Sequence, residues 1–203
     1  MVNVAVFDYG AGNIFSIKVA LERFNVNVNV INDMNNLKDF DALILPGVGN
    51  FDPAISSIDP YRDKLINAID SNMPILGICL GMEMLFEKSE EGTKRGLSIL
   101  NGDVVMLPAD KVKIPHMGWN RLCIEKSNKS ILLEGIEDGS WVYFVHSYHA
   151  KPKDDSIVKA GCTYGINFPA VIEYKSIIGT QFHPEKSGAV GMLMLKNFLD
   201  YAK

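Results

Sequence analysis

The amino-acid sequence predicts an α/β fold: a mostly parallel sheet with helices on both faces and an antiparallel extension in the C-terminal half. Three observations carry that expectation. From Val2 to Leu85, short apolar runs alternate with segments of helical period, as in parallel sheets covered on both sides. From Gly102 onward, short strand-like runs follow one another across turns, the habit of antiparallel structure. The chain has 203 residues, 47% of them hydrophobic. That is enough to bury a sizeable core, and no repeat, low-complexity tract or linker divides it, so a single domain over 1–203 is expected.

Each element follows from its local pattern. Val2 to Asp8 is an apolar strand ending in the turn YGAGN, and Ile14, Ile17, Leu21 and Phe24 follow at helical spacing. Asn13 is placed to cap that helix. VNVNVI, from Val26 to Ile31, alternates as a half-exposed strand should. DALILPGVG is a short apolar strand stopped by Pro46, Gly47 and Gly49. Tyr61 to Ser71 has helical period, with Leu65, Ala68 and Ile69 on one face. A strand over Ile75 to Ile78 then gives way to a short helix opening near Leu80. GDVVMLP, WVYFVHSYH, SIVKAGCTYG, PAVIEY and SIIGTQFHPE are strand candidates, and a last helix, Gly191 to Tyr201, turns Leu193, Leu195 and Phe198 toward the core.

Composition excludes several classes of function. With 20 Lys and Arg against 24 Asp and Glu, the formal charge is −4, the wrong sign for gripping nucleic-acid phosphates. The start lacks a basic segment followed by a long apolar one, and no run approaches the ~20 apolar residues of a membrane span. Cys79, Cys123 and Cys162 are odd in number and far apart, as in a reducing compartment. A soluble cytoplasmic protein is expected, with no membrane or nucleic-acid partner.

Two motifs have bland readings that win. YGAGN invites a dinucleotide fingerprint, but Phe15 stands where the third glycine of G-x-G-x-x-G belongs. A tight turn is the better reading, and no cofactor is expected. His146 and His149, three apart in a strand, should point to opposite faces. Without a nearby Cys or carboxylate cluster they make no metal site.

Cys79 is different. Gly77-Ile78-Cys79-Leu80-Gly81 fits the nucleophile elbow with cysteine in place of serine. The nucleophile would sit on a strained strand-to-helix turn that needs small residues two before and two after. The helix opening there would favour thiolate. Taken alone, a buried structural thiol between packing glycines explains the string equally well. Gln181-Phe182-His183-Pro184-Glu185 breaks the tie. Proline pushes His183 toward extended geometry, so His183 and Glu185 project to one side, the base and its orienter that a cysteine nucleophile needs. PGVGNF, Pro46 to Phe51, follows an earlier strand. It is placed to supply a second oxyanion donor beside the Leu80 N–H, because glycine reorients its peptide at little cost.

With PGVG at 46–49, GICLGM at 77–82 and FHPE at 182–185, the chain resembles class I, triad-type glutamine amidotransferases over essentially its whole length. PHMGWN at 115–120, YFVHSYH at 143–149, HPEKS to Ser187 and the DYGxGN opening at 8–13 are similar to the glutaminase subunits of imidazole glycerol phosphate synthases. The resemblance implies a flavodoxin-like sheet and a Cys79–His183–Glu185 triad. It implies oxyanion donors at Leu80, Gly47 and Val48, and glutamine bound by Gly47, Gly49, Glu83, Ser147 and Tyr148. It implies a heterodimer with a (β/α)8-barrel cyclase, met through Pro115, His116, Met117, Trp119, Tyr143 and Lys186. Ammonia from glutamine would pass into that partner for histidine biosynthesis. One position departs: Glu83 stands where the family usually has glutamine, and a carboxylate there would repel the α-carboxylate of the substrate. A free-standing cysteine hydrolase of γ-glutamyl compounds and a non-catalytic flavodoxin-like binding module are the alternatives.

Overall fold

The computed structural model describes residues 1–10, 14–124 and 129–203. In chain order the elements are β1 (Val2–Phe7), α1 (Ile14–Leu21), β2 (Val26–Ile31), β3 (Ala42–Leu45), α2 (Phe51–Ile58), α3 (Arg62–Asp70), β4 (Ile75–Ile78) and α4 (Leu80–Glu83). There follow β5 (Lys88–Ser89), β6 (Gly102–Met106), β7 (His116–Ile124), β8 (Trp141–His146) and β9 (Tyr148–Pro152). The chain ends with β10 (Val158–Tyr164), β11 (Ile166–Tyr174), β12 (Ile177–Thr180) and α5 (Gly188–Tyr201). Gly12 and Asn13, with the expected helix cap, lie outside the described residues.

A nine-stranded sheet runs β2-β1-β3-β4-β12-β11-β10-β7-β8. Its first five strands are mutually parallel, and from β12 to β8 every neighbour is antiparallel. A three-stranded sheet, β5-β6-β9, stands apart.

The apolar residues of the parallel strands divide between two faces. Val4, Val6, Ile44, Leu76 and Ile78 pack with Ile17 and Leu21 of α1 and with Leu195 and Phe198 of α5. Their neighbours Ala5, Phe7, Leu43, Leu45 and Ile75 pack with Ile55 and Ile58 of α2 and with Leu65 and Ile69 of α3. Because side chains alternate along a strand, both faces need a helical cover, which is why these strands read as unbroken apolar runs. β2 is the edge strand, and its alternation follows from being covered on one side only.

Three expectations change. PHMGWN, left out of the expected strands, supplies the start of one: β7 takes in His116 to Asn120 and pairs with both β8 and β10. WVYFVHSYH is two strands, because the chain leaves the large sheet at Ser147 and pairs in the small one as β9. In α5 it is Met194, Leu195, Phe198 and Leu199 that are buried, while Leu193 is half-exposed.

Candidate active site

Strand β4 lies between β3 and β12, and the backbone turns sharply at its end. Cys79 has φ 48° and ψ −110°, a left-handed conformation that a non-glycine residue holds only at a cost of about 1–3 kcal/mol. The turn is held by its neighbours. Cys79 N–H donates to Thr180 O (2.6 Å), and Met82 and Glu83 N–H donate to Cys79 O (both 2.9 Å). The flanking glycines are forced by close approach: a Cβ on Gly81 would stand 2.0 Å from Leu45 O, and one on Gly77 2.8 Å from Met82 N. Gly47 is bound the same way, since its Cβ would meet Ile78 O at 2.2 Å. It is therefore close packing, and not freedom to reorient, that demands glycine at 47. Gly49, with φ 140°, is where the loop uses glycine's conformational range.

His183 follows β12, whose last residue is Thr180. His183 Nδ1 lies 2.8 Å from Glu185 Oε1, with both side chains almost fully buried. A carboxylate at Nδ1 fixes the tautomer and leaves Nε2 to act. His183 Nε2 is buried without a hydrogen-bond partner. The backbone of this loop is tied to the far edge of the sheet. His183 N–H donates to Tyr143 O (2.9 Å), and Tyr143 N–H donates to Ser187 Oγ (3.0 Å). Ser187 Oγ–H in turn donates to His183 O (2.7 Å).

Cys79 opens on a cavity of about 220 Å³ at the C-terminal ends of β3 and β4, where open α/β sheets place their ligands. Gly47, Val48 and Gly49 line it, together with Leu80 and Glu83 of α4 and with Ser147 and Tyr148. Pro115, Val145, His146 and Glu91 complete it. A larger hollow of about 530 Å³ lies at the opposite end of the strands, between Met34–Asp41 and Lys64–Pro74, and neither cysteine nor histidine lines it.

Electrostatics correct two expectations. Burial, and then the neighbouring Glu83, push the Cys79 thiol well above its ordinary pKa, although the Leu80 N–H and the Gln181 amide pull the other way. The four-residue α4 does not make a resting thiolate. Burial also raises Glu83 to about 8, so near neutral pH its carboxyl is mostly uncharged and repels a substrate carboxylate little.

The other three histidines are buried, and each has a hydrogen-bond partner. His146 Nδ1 bonds Tyr148 O (2.7 Å), and its Nε2 lies 2.9 Å from His116 Nδ1. Asn120 Nδ2 reaches His116 Nε2 at 3.3 Å. Because the Tyr148 carbonyl at one end can only accept and the Asn120 amide nitrogen at the other can only donate, each hydrogen in this chain has one possible direction, and both rings are neutral. Burial lowers His116 to about 4 and His146 to about 3. His146 and His149 do not face opposite ways: both rings lie within 6 Å of Phe168, at 5.1 and 5.8 Å, because the chain bends at Ser147 between them. His116, expected on the partner face, is buried between Phe144 and Tyr164 instead.

The rest of the expected partner face is outside. Met117 (63% exposed) and Trp119 (52%) project from β7, and Trp119 sets its ring edge-on to Tyr143 at 5.9 Å. Pro115 is exposed, and Lys186 is half-buried one residue beyond Glu185. Arg121, over the Trp141 ring at 4.9 Å, extends this face along β7 and β8. Phe15 is exposed on α1, which packs against the Pro184–Lys186 turn.

A sequence profile described as glutamine amidotransferase class-I matches residues 5–201. The chain belongs to the class-I glutamine amidotransferases.

Among curated members of the family, a Halobacterium salinarum protein is 44% identical over 207 residues, covering 98% of this chain and 93% of its own. A Methanocaldococcus jannaschii protein is 45% identical over 199 residues, covering 97% and 98%. Both are named imidazole glycerol phosphate synthase subunit HisH. Solved structures agree in fold. PurLQS from Thermotoga maritima has a TM-score of 0.78 at 20% identity, covering 100% of both chains. The glutaminase domain of Trypanosoma brucei CTPS has 0.67 at 16%, covering 98% of this chain and 94% of that one. At such identity the likeness speaks of fold alone.

Four residues of this amidotransferase site were not singled out from the sequence. Gln181 and Ser187 sit inside recognised strings, but only the fold shows what their side chains touch. Glu91 reaches the cavity from the loop after β5, and no local pattern marks it. Asn120 makes sense only once β7 is a strand with an inward face. Among the described residues no group of His, Cys, Asp and Glu could hold a metal ion, and no helix is long and apolar enough to cross a membrane.

Proposed function

We propose that this amidotransferase, acting as one unit over its whole length, is the glutaminase subunit of an imidazole glycerol phosphate synthase. It hydrolyses glutamine to glutamate and ammonia, and hands the ammonia to a (β/α)8-barrel cyclase. The observation that carries the chemistry is Cys79, held at a left-handed strand-to-helix turn on the wall of the cavity. The assignment to that synthase, and with it the cyclase partner, draws on the names of relatives aligned over nearly the full chain.

Glutamine enters with its side-chain amide toward Cys79. Glu91 lies in reach of the α-ammonium, and a largely neutral Glu83 accepts hydrogen bonds without repelling the α-carboxylate. The thiol proton passes to His183 Nε2 as sulfur attacks the amide carbon. The oxyanion is received by N–H groups of Leu80 and the Gly47–Gly49 loop. His183, its charge balanced by Glu185, protonates the departing ammonia and leaves a γ-glutamyl thioester. Water then attacks the thioester, His183 takes its proton and returns it to sulfur, and glutamate leaves.

Burial of an uncharged thiol favours this reading over a free-standing hydrolase. A cysteine held protonated in the isolated chain is a resting nucleophile, as suits ammonia released only when the acceptor is ready. The test is Cys79→Ala in complex with a cyclase. Glutamine-dependent turnover should vanish while turnover on added ammonia persists. Glutamine-dependent turnover within tenfold of wild type would remove Cys79 from its role, and fast hydrolysis by the isolated wild-type chain would favour the free-standing enzyme.

A further inference from the structure

Gln181 is the chain's only glutamine. It is fully buried immediately after β12, two residues before His183, and its backbone is fixed to β11 by a hydrogen bond from its N–H to Ala170 O (2.9 Å). Its side chain is turned inward, and its Nε2 serves two groups at once. One contact is Glu83 Oε1 at 2.8 Å, and the other is Cys79 Sγ at 3.7 Å, within range for a hydrogen bond to sulfur. Its Oε1 is buried without a partner, so nothing else holds the amide. Among the described residues, the other hydrogen bond of the Cys79 side chain is a long one to Val145 O, at 3.9 Å, in which sulfur is the donor.

We propose that Gln181 is the positioning residue of the nucleophile: anchored on Glu83, its amide N–H holds the Cys79 sulfur and stabilises it as the proton leaves. The inference rests on the reading of Cys79 as the glutaminase nucleophile. An amide bridging an acid and a sulfur ties the two together. One of its two N–H hydrogens needs an acceptor at position 83, and the other is then aimed at position 79. A carboxyl and a carboxamide at 83 both offer that acceptor, so the anchor does not require the charge of Glu83. The charge acts separately. Tyr9 beyond β1, Glu83 on α4 and Glu185 beyond β12 are the acidic groups that act on the sulfur, and each becomes less compatible with a thiolate as it ionises, whereas an imidazolium at His183, the base proposed above, would favour it. The Gln181 N–H is the side-chain contact that opposes them.

The experiment uses the full chain and iodoacetamide, with labelling at Cys79, Cys123 and Cys162 separated by peptide mass. Gln181→Met keeps length and bulk but has no N–H to give. Loss of one hydrogen bond to the thiolate should slow labelling of Cys79 about tenfold across roughly pH 6 to 9, a shift of about one pKa unit. The exposed Cys123 should label at its wild-type rate and serves as internal reference. Circular dichroism checks that the variant is folded. Should it not fold, the wild-type chain decides the matter. Selective ¹⁵N-glutamine labelling yields one side-chain amide signal pair, and blocking Cys79 should move it. A folded Gln181→Met chain labelled at the wild-type rate, or an amide signal indifferent to blocking, overturns the inference. Alkylation of Cys79 that leaves glutamine hydrolysis in the cyclase complex intact would instead overturn the nucleophile assignment, and the inference with it.

Discussion

At the scale of single residues, the candidate site pairs a strained backbone at Cys79 with a buried imidazole at His183. Cys79 is displayed by its φ of 48° and burial favours its protonated form, so in the mechanism proposed above its reactivity depends on delivering the proton to His183. His183 in turn depends on Glu185 for the orientation of its ring, through the 2.8 Å contact at Nδ1. His183→Ala should therefore lower kcat for glutamine hydrolysis about 10²–10⁴-fold, the usual worth of a general acid–base. Glu185→Gln should cost less, because an amide oxygen still accepts from Nδ1 while no longer balancing the imidazolium. Steady-state kinetics in the presence of a cyclase partner check both, and a His183 variant with normal kcat would show that another group moves the proton.

At the scale of elements, strands β7 and β8 present one face to solvent and one to the core. Outward stand Met117, Trp119, Arg121, Trp141 and Tyr143, and inward stand His116, Leu122, Val142 and Phe144. Trp119→Ala should leave the chain folded, since its ring packs on the outer face. It should weaken association with a cyclase by about 2 kcal/mol or more, as the loss of an interface aromatic anchor does. Calorimetric titration, with circular dichroism as the folding control, measures it, and unchanged affinity in a folded variant would move the docking face elsewhere. The same two strands mark where the sequence stopped being legible. β3 and β4 could be read directly, because burial on both faces leaves only apolar side chains and glycine, whereas β12 was legible as a strand but not in its parallel pairing with β4. β7 could not: its inward residues include a histidine and an asparagine, and Gly118 interrupts the alternation, so polar partners supplied by β8 and β10 hide the pattern. The elbow and the His-Pro-Glu string were legible because their demands are local, a left-handed turn and an extended dipeptide. The Gln181 amide, the Glu91 side chain and the high pKa of Cys79 were not, because each depends on which distant segments close over the site.

At the scale of the whole molecule, the buried titratable groups set opposing limits on stability. His116 and His146 are held neutral down to about 4 and about 3. The unfolded chain takes up those protons near pH 6.5, so their contribution is full above that pH and is lost as pH falls toward the folded values. Glu83 works in the other direction. Folded, it keeps its proton up to about 8, whereas unfolded it releases it near 4.5, so stability declines as pH rises between those values. Urea midpoints should peak near pH 6.5, and Glu83→Gln should flatten the decline from there to about 8. A wild-type chain with no alkaline decline would mean that Glu83 is ionised when folded. The bonds that join Tyr143 to His183 and Ser187 have a further consequence, for solubility. β8 is the last strand of its sheet, and the histidine loop fills the outward-facing hydrogen-bonding positions of Tyr143. An exposed strand edge invites pairing with a second chain. Lifting the loop from its seat would thus disable the base and bare a sticky edge in one event. Ser187→Ala, which removes the hydroxyl that pins the two together, should lose activity and begin to scatter light on mild warming in parallel. A variant that loses one without the other would show that catalytic order and colloidal order are kept apart in this fold.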